Sequence, residues 1–356
     1  MFKVSREAAK AGNLREFKTL DLVKRLGVIT ANRVHLKNYP VENPTTIFNP
    51  SLSVENETIR IYLRIVLGYF TYTSAVAMLE AGLSDIYEGY LSVSHYPVEL
   101  ILCPDSEYDF WGIEDPRVYR IDDKLMMTYC GRTVNYFNPA IRVERTLPIT
   151  AVSKDLKNWR KNYVFRLTKE IRKQVVSDKD AFLLKTKKRE LFLFHRPHLT
   201  DENFYLAVSK VPIDILEKTD SGLSEVVVTE TTVLMNPASF EAKLGWATPP
   251  VEVGGGEYLL LVHGVDRRFE GYRVFAVLLS CEEEVRLTAV TPHYIMEPKM
   301  SYELYGERPY TVFPCGIQKA ANRLLVTYGA ADSAVGVGEI EIDKLLPILD
   351  RHRLKE

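Results

Sequence analysis

The triplets Tyr62-Leu63-Arg64, Met127-Thr128-Tyr129, Leu193-Phe194-His195, Leu261-Val262-His263 and Val326-Thr327-Tyr328 close five apolar, strand-like runs. Their last residues are spaced by 65, 66, 68 and 65 positions. Each run follows a turn-forming stretch: Glu55-Asn56-Glu57, Asp122-Asp123-Lys124, Lys187-Lys188-Arg189-Glu190, Gly254-Gly255-Gly256-Glu257 and Ala321-Asn322-Arg323. A partner strand opens about fourteen residues before the end of each run, at Asn49-Pro50, Asp115-Pro116, Asp180-Ala181, Pro249-Pro250 and Pro314-Cys315. Proline suits a strand's first residue, where no ladder donor is lost. Five hairpins at one period predict an all-β, five-bladed propeller, and helical periodicity is almost absent between residues 45 and 335.

Outside the repeats, Leu14, Phe17, Leu20, Leu22, Val23 and Leu26 precede Gly27, so residues 5 to 26 are expected to form a helix with a glycine stop. Residues 341 to 351 read as a short terminal helix interrupted by Pro347. The expected division is an N-terminal helical extension over 1–44, a propeller over 45–340 and a C-terminal helix and tail over 341–356. The N-terminal helix is the expected contact if the chain forms a homo-oligomer.

Bulk composition narrows the function. The 356 residues carry 46 basic and 47 acidic side chains, net −1, which gives no long-range positive field for nucleic acid or an anionic membrane. The first residues lack the apolar core of a signal peptide and no apolar run approaches the ~20 residues of a membrane span, so the expected location is the cytoplasm. Cys103, Cys130, Cys281 and Cys315 are far apart and form no C-x-x-C pair; reduced, mostly buried thiols are expected, with no metal site and no cofactor.

In a propeller the innermost strands converge on the axis, so equivalent positions of successive blades share one pocket. The second opening reads Trp111-Gly112-Ile113-Glu114-Asp115-Pro116-Arg117 and the third Asp178-Lys179-Asp180-Ala181. The outgoing strands end in Arg64, Tyr129-Cys130-Gly131-Arg132, His195-Arg196-Pro197-His198, His263-Gly264-Val265-Asp266 and Tyr328-Gly329-Ala330-Ala331-Asp332. Carboxylates, cations and imidazoles in one place suit a polyhydroxylated substrate. A carboxyl group held among others can protonate a departing sugar oxygen, and Asp115 is the candidate. Glu114, Arg117, Asp180 and His263 are assigned to the substrate side, and His198 and Tyr328 to an anion beside it. The bland alternatives are an Asp-Pro turn opener paired with Arg117 and hydrogen-bonded histidines at strand ends.

These segments resemble glycoside hydrolase family 130, the β-mannoside phosphorylases and β-1,2-mannosidases, over residues 45 to 340. The likeness rests on Gly112-Ile113-Glu114-Asp115-Pro116-Arg117-Val118, Lys179-Asp180-Ala181, Phe194-His195-Arg196-Pro197, Leu261-Val262-His263-Gly264-Val265 and Phe313-Pro314-Cys315-Gly316 with Tyr328-Gly329-Ala330-Ala331-Asp332. It implies a five-bladed propeller and an inverting single displacement, with Asp115 as general acid acting through the mannosyl 3-hydroxyl. It also implies mannosyl contacts from Asn49, Ser51, Arg64 and Asp332. Lys179 and Arg196 match phosphate-binding positions, and Arg132 supplies a third cation. The pattern departs from the family at Thr133, where many phosphorylases carry asparagine. The expectation is phosphorolysis of β-1,2- or β-1,4-linked mannosides, with inorganic phosphate as co-substrate. A β-1,2-mannosidase on the same scaffold and a non-catalytic glycan-binding propeller are the alternatives.

Overall fold

The computed structural model describes residues 2–217, 222–282 and 284–354. Five small sheets form a ring, each built mainly of antiparallel strands. Blade 1 comprises Thr46–Glu55, Thr58–Val66, Ser74–Gly82 and Tyr96–Leu102, and blade 2 comprises Ile113–Ile121, Lys124–Arg132, Thr146–Ser153 and Trp159–Arg166. Val175–Lys185, Leu191–Leu199, Leu206–Val211 and Thr229–Met235 make blade 3, and Glu241–Trp246, Glu257–Asp266, Tyr272–Ser280 and Arg286–Val290 make blade 4. Blade 5 takes Val312–Ala320, Arg323–Ala330 and Ala334–Glu341 from the end of the chain and its outermost strand, Lys24–Thr30, from the beginning. The five-bladed propeller read from the period is therefore the fold.

The N-terminal segment differs from the expected helix. Helix is confined to Ala8–Asn13, and Lys24–Thr30 pairs antiparallel with Ala334–Glu341. Val34–Leu36 adds a parallel edge to blade 1, so the propeller begins well before residue 45. The reason is edge satisfaction: blade 5 has only three strands from its own repeat, and a fourth strand covers its open ladder. Ile29 is buried between blades 5 and 1, whereas Phe17 and Leu20, which a helix would have turned inward, are exposed. At the other terminus the helix Ile342–Arg351 runs through Pro347 without interruption, laying Ile342, Leu345 and Leu349 on the apolar core between blades 4 and 5.

Five apolar clusters lie one at each boundary between neighbouring blades. Between blades 3 and 4, Trp246 meets Phe194 edge to face, 5.2 Å between centroids, and donates its indole N–H to the Ala207 carbonyl at 3.0 Å. Fully burying a large apolar side chain contributes about 1.5–3 kcal/mol, so these boundaries hold the blades in register around the axis. Two of the four cysteines, Cys130 and Cys315, are buried, but Cys103 is exposed and Cys281 half-buried, so the thiols are less sheltered than expected. Among the described residues, no helix is long and apolar enough to cross a membrane.

The N-terminal segment is tied down by a buried charge. Arg15 donates to Glu241 at 3.0 Å, with both side chains fully buried, and its guanidinium lies 3.4 Å above the Phe275 ring. The Glu241 carboxylate also accepts the Tyr294 hydroxyl at 2.7 Å and the Ala238 N–H at 3.0 Å. Removing one partner strands the other charge without water, so Arg15→Ala should lower stability in urea unfolding by about 3–5 kcal/mol. Arg15→Met with Glu241→Gln should recover much of that loss. Equal stability of Arg15→Ala and the native chain would contradict this account.

Candidate active site

One backbone device, repeated three times, builds the site. In blade 1 the ladder pairs Phe48 with Arg64 and Ser51 with Tyr62, leaving Asn49 and Pro50 opposite Leu63 alone. In blade 2 Glu114 pairs with Cys130 and Arg117 with Thr128. In blade 3 Lys179 pairs with Arg196 and Phe182 with Phe194. The extra residue in each case, Asn49, Asp115 or Asp180, has a left-handed backbone, φ 45°, 53° and 56°. Asn and Asp tolerate that conformation better than other side-chain-bearing residues, and a bulge re-aims its side chain. The expected strand openings are thus bulges inside strands that start earlier. All three side chains turn onto the axis.

They meet in a cavity of about 490 Å³ at the end of the axis away from the hairpin turns. Its wall includes Asn49, Arg64, Glu114, Asp115, Arg132, Lys179, Asp180, Arg196 and Asp332, nine of the residues expected there, so Asp115, Lys179 and Arg196 share one space. Two further approaches depend on glycine. A Cβ on Gly329 would lie 2.0 Å from Asn49 Oδ1, and one on Gly245 would lie 2.3 Å from Asp180 Oδ2.

Asp115 Oδ1 accepts from Asn49 Nδ2 at 2.8 Å and from Arg64 Nη1 at 2.9 Å. Both donors reach the same oxygen, which leaves Oδ2 for the cavity. Glu114 accepts from Arg64 Nη2 and from Arg132 Nε, each at 2.9 Å. Burial alone would raise its carboxyl, but Arg132 and Arg64 hold it well below the usual range, so Glu114 is a fixed anion orienting two arginines. Asp180 is likewise held well below its ordinary value: burial opposes this, and Arg196, 3.0 Å away, with His263 and Arg117 outweigh it. Asp332 behaves in the opposite way. Burial, helped by Asp115 and opposed by Arg64, pushes its carboxyl up to about 6.

Five of the expected contacts lie elsewhere. Arg117 is a plug beneath the floor, donating to the carbonyls of Ala247, Trp246 and Asp115 at 2.9, 2.9 and 3.1 Å and thereby joining blades 2 and 4. Ser51 is a second floor pin: its hydroxyl accepts the Val118 N–H at 2.8 Å. His263 sits under Asp180, 3.4 Å from Oδ2 and against the Phe313 ring, and burial lowers its imidazole to about 4. It is neutral there and supports Asp180. His198 is screened by Phe204, whose ring stacks on it at 4.1 Å and itself faces the cavity. Tyr328 points into the core between blades 4 and 5 and gives its hydroxyl to Glu303 at 2.7 Å, so it does not reach an anion in the cavity.

Other cavity residues were not anticipated: Lys243, Tyr272 and Arg308, together with Tyr72 and Glu307, whose hydrogen bond of 2.7 Å spans the loops of blades 1 and 5. Lys243 escaped because the inner strand of blade 4 breaks at Ala247–Pro250, so its earlier half, Glu241–Trp246, lay outside the repeat register. Lys243 and Gly245, two apart on one face of that strand, are the signal that was there to find. Among the described residues, Lys179, Lys243 and Arg308 have no carboxylate within ion-pair distance, unlike Arg64, Arg132 and Arg196. Tyr272 lies among these cations, with Lys243 Nζ 5.5 Å and the Arg308 guanidinium 4.6 Å from its ring centroid. Burial would raise its phenol, yet Lys243, Arg308, Arg196 and Lys179 together lower it.

A larger cavity of about 730 Å³ opens at the hairpin end. Most of its charges are paired, Lys185 with Asp122 at 2.6 Å and Lys187 with Glu252 at 3.1 Å, and its other cations, Arg189 and Lys319, are exposed on the rim. The smaller cavity, with unmatched cations opposite a carboxyl group, has the chemistry.

The family model described as beta-1,4-mannooligosaccharide phosphorylase matches residues 13–351. A beta-1,2-mannobiose phosphorylase from Thermoanaerobacter sp. (strain X514) is 30% identical over 250 residues, covering 69% of this chain and 72% of the relative. A 1,2-beta-oligomannan phosphorylase of the same strain is 27% identical over 246 residues, 68% of this chain and 72% of that one. The solved structure of the beta-1,2-mannobiose phosphorylase from Listeria innocua, in complex with beta-1,2-mannobiose, superimposes with a TM-score of 0.68 at 18% identity, covering 93% of this chain and 97% of that chain. The match runs through all five blades and the helix that follows them, and the chain belongs to glycoside hydrolase family 130.

Proposed function

We propose that the protein is an inverting β-mannoside phosphorylase. The observation that carries this reading is the group of cavity cations without carboxylate partners, Lys179, Lys243 and Arg308, beside Arg196. An anion entering there gains charge-assisted hydrogen bonds and relieves repulsion among the positive groups that line it. A neutral water molecule does not offset that positive charge. The relatives named as β-1,2-mannoside phosphorylases favour the β-1,2 linkage for this chain.

In this reading Asn49, Arg64 and Asp332 hold the mannosyl unit, and the cations hold inorganic phosphate on the opposite face of its anomeric carbon. A phosphate oxygen forms a bond to that carbon as the bond to the leaving sugar oxygen breaks. The proton for that oxygen comes from Asp115, relayed through the mannosyl 3-hydroxyl. The products are α-mannose 1-phosphate and a sugar one unit shorter. Glu114 keeps its charge throughout and fixes Arg64 and Arg132, so the positive side of the site is set before substrate arrives.

Sugar release from β-1,2-mannooligosaccharides should require phosphate and yield a sugar phosphate; equal mannose release without phosphate would replace this reading by hydrolysis. Asp115→Asn should lower kcat by about 10²–10⁴-fold, the usual contribution of a positioned proton donor. Lys243→Ala should raise the KM for phosphate about tenfold or more while changing the KM for the mannoside less. The acid limb of kcat/KM should report Asp332. Below about 6 its carboxyl carries a proton, and above about 6 it is the carboxylate that accepts sugar hydroxyls more strongly. Activity should therefore rise with pH through about 6, and Asp332→Asn should abolish that limb along with much of the activity. An unchanged profile in Asp332→Asn would contradict the assignment.

A further inference from the structure

Exposed aromatic residues occur at both ends of the propeller, Tyr87 and Tyr90 at the hairpin end, but most stand in loops at the cavity end. The hairpin turns away from the cavity are charged, as in Asp122-Asp123-Lys124 and Lys187-Lys188-Arg189. The loops at the cavity end expose aromatic rings: Tyr69 and Phe70 from blade 1, Phe110 from the entry to blade 2, Tyr136 and Phe137 from the loop inside it, and Tyr305 before blade 5. Phe70 is 85% exposed and Phe137 63%. Exposed aromatic side chains gathered around one opening mark a binding surface rather than a fold requirement.

Tyr136 and Phe137 connect this rim to the chemistry, because both also line the cavity that holds Asp115. Tyr136 is fixed on one face by the Arg132 guanidinium, 4.8 Å from its ring centroid, and it meets Phe137 edge to face at 5.3 Å. Arg132 is itself held by Glu114. The ring is thus oriented by the charge network of the site while 56% of the residue stays exposed. A permanent protein partner seated on these two residues would cover the mouth of the cavity that holds Asp115, so the occupant has to come and go with turnover. A sugar chain fits. Its C–H faces pack on aromatic rings, and its hydroxyls use the polar handle of tyrosine. The cavity, about 490 Å³, lies toward the small end of the roughly 300–1,000 Å³ range of small-molecule sites, so a longer chain has to cross the rim.

We infer that the aromatic rim around Tyr136 and Phe137 binds the part of a mannooligosaccharide beyond the cleaved bond, which makes the preferred substrate a chain of more than two sugar units. The inference rests on the mannoside reading above and deepens it. The test compares kcat/KM for β-1,2-mannobiose and β-1,2-mannotetraose, with phosphate saturating, in the native protein, Phe137→Ala and Phe137→Tyr. The native protein should prefer the tetraose, and Phe137→Ala should shrink that preference about tenfold. Phe137→Tyr should restore it. A tetraose-to-biose ratio equal in the native protein and Phe137→Ala overturns the inference. So does a change of sedimentation coefficient in Phe137→Ala with no change of ratio, which would make the rim a contact between copies. Calorimetric titration of tetraose into Asp115→Asn, with and without Phe137→Ala, separates this from the reaction. Weakened binding in the double variant supports the rim even if no phosphorolysis is found, and unchanged binding overturns it.

Discussion

The site depends on a backbone constraint: three inner strands each admit one residue too many, and that residue takes a left-handed conformation at Asn49, Asp115 and Asp180. Strand alternation alone would send consecutive side chains to opposite faces of each blade. The bulge breaks alternation at the same height in three successive blades, so polar side chains converge on the axis while the residues on either side stay in the ladder. A left-handed residue other than glycine costs of order 1–3 kcal/mol, and the blade boundaries supply the packing that holds it there. Blades 4 and 5 solve the same position differently, one with a strand break at Ala247–Pro250 and the other with a register shift around Cys315. Asn49, Asp115 and Asp180 therefore come from one side of the ring and Lys243 from the other.

Charge is then sorted rather than simply accumulated. Glu114 and Asp180 are permanently ionised because guanidinium groups outweigh the cost of their burial. Arg117 seals the floor, donating to three backbone carbonyls and, at 3.4 Å, to Asp180, so the positive charge beneath the site is spent on holding blades together. What remains unmatched, Lys179, Lys243 and Arg308, faces the cavity. A site of this kind is prepared for an anion before one arrives, which is how preorganised electrostatics lowers a barrier without reorganisation during the reaction.

Much of this was legible in the chain. Five strand ends at a constant spacing define the ring, and Asn49, Asp115 and Asp180 stand out because they open equivalent hairpins. Spacing could not say that these positions are bulges, because a two-for-one register leaves no mark on composition. It also could not separate residues that touch the cavity from those one layer below it. Ser51 and Arg117 sit within two residues of a bulge and hold the floor, and Tyr328 follows the repeat but faces the core. The N-terminal segment misled because Leu20, Leu22, Val23 and Leu26 fit a helical face, whereas the open edge of blade 5 demands a strand from Lys24 to Thr30. Loop residues such as Tyr72, Glu307 and Arg308 obey no period and had no sequence signal.

The central claim is that an anion attacks the sugar from the side opposite the oxygen protonated through Asp115. Its most direct measurement is the anomeric configuration of the first-formed product, followed by proton and phosphorus NMR during turnover of a β-1,2-mannooligosaccharide in phosphate. The account predicts that α-mannose 1-phosphate accumulates from the first spectrum. Formation of β-mannose 1-phosphate, or of free mannose alone, would contradict it.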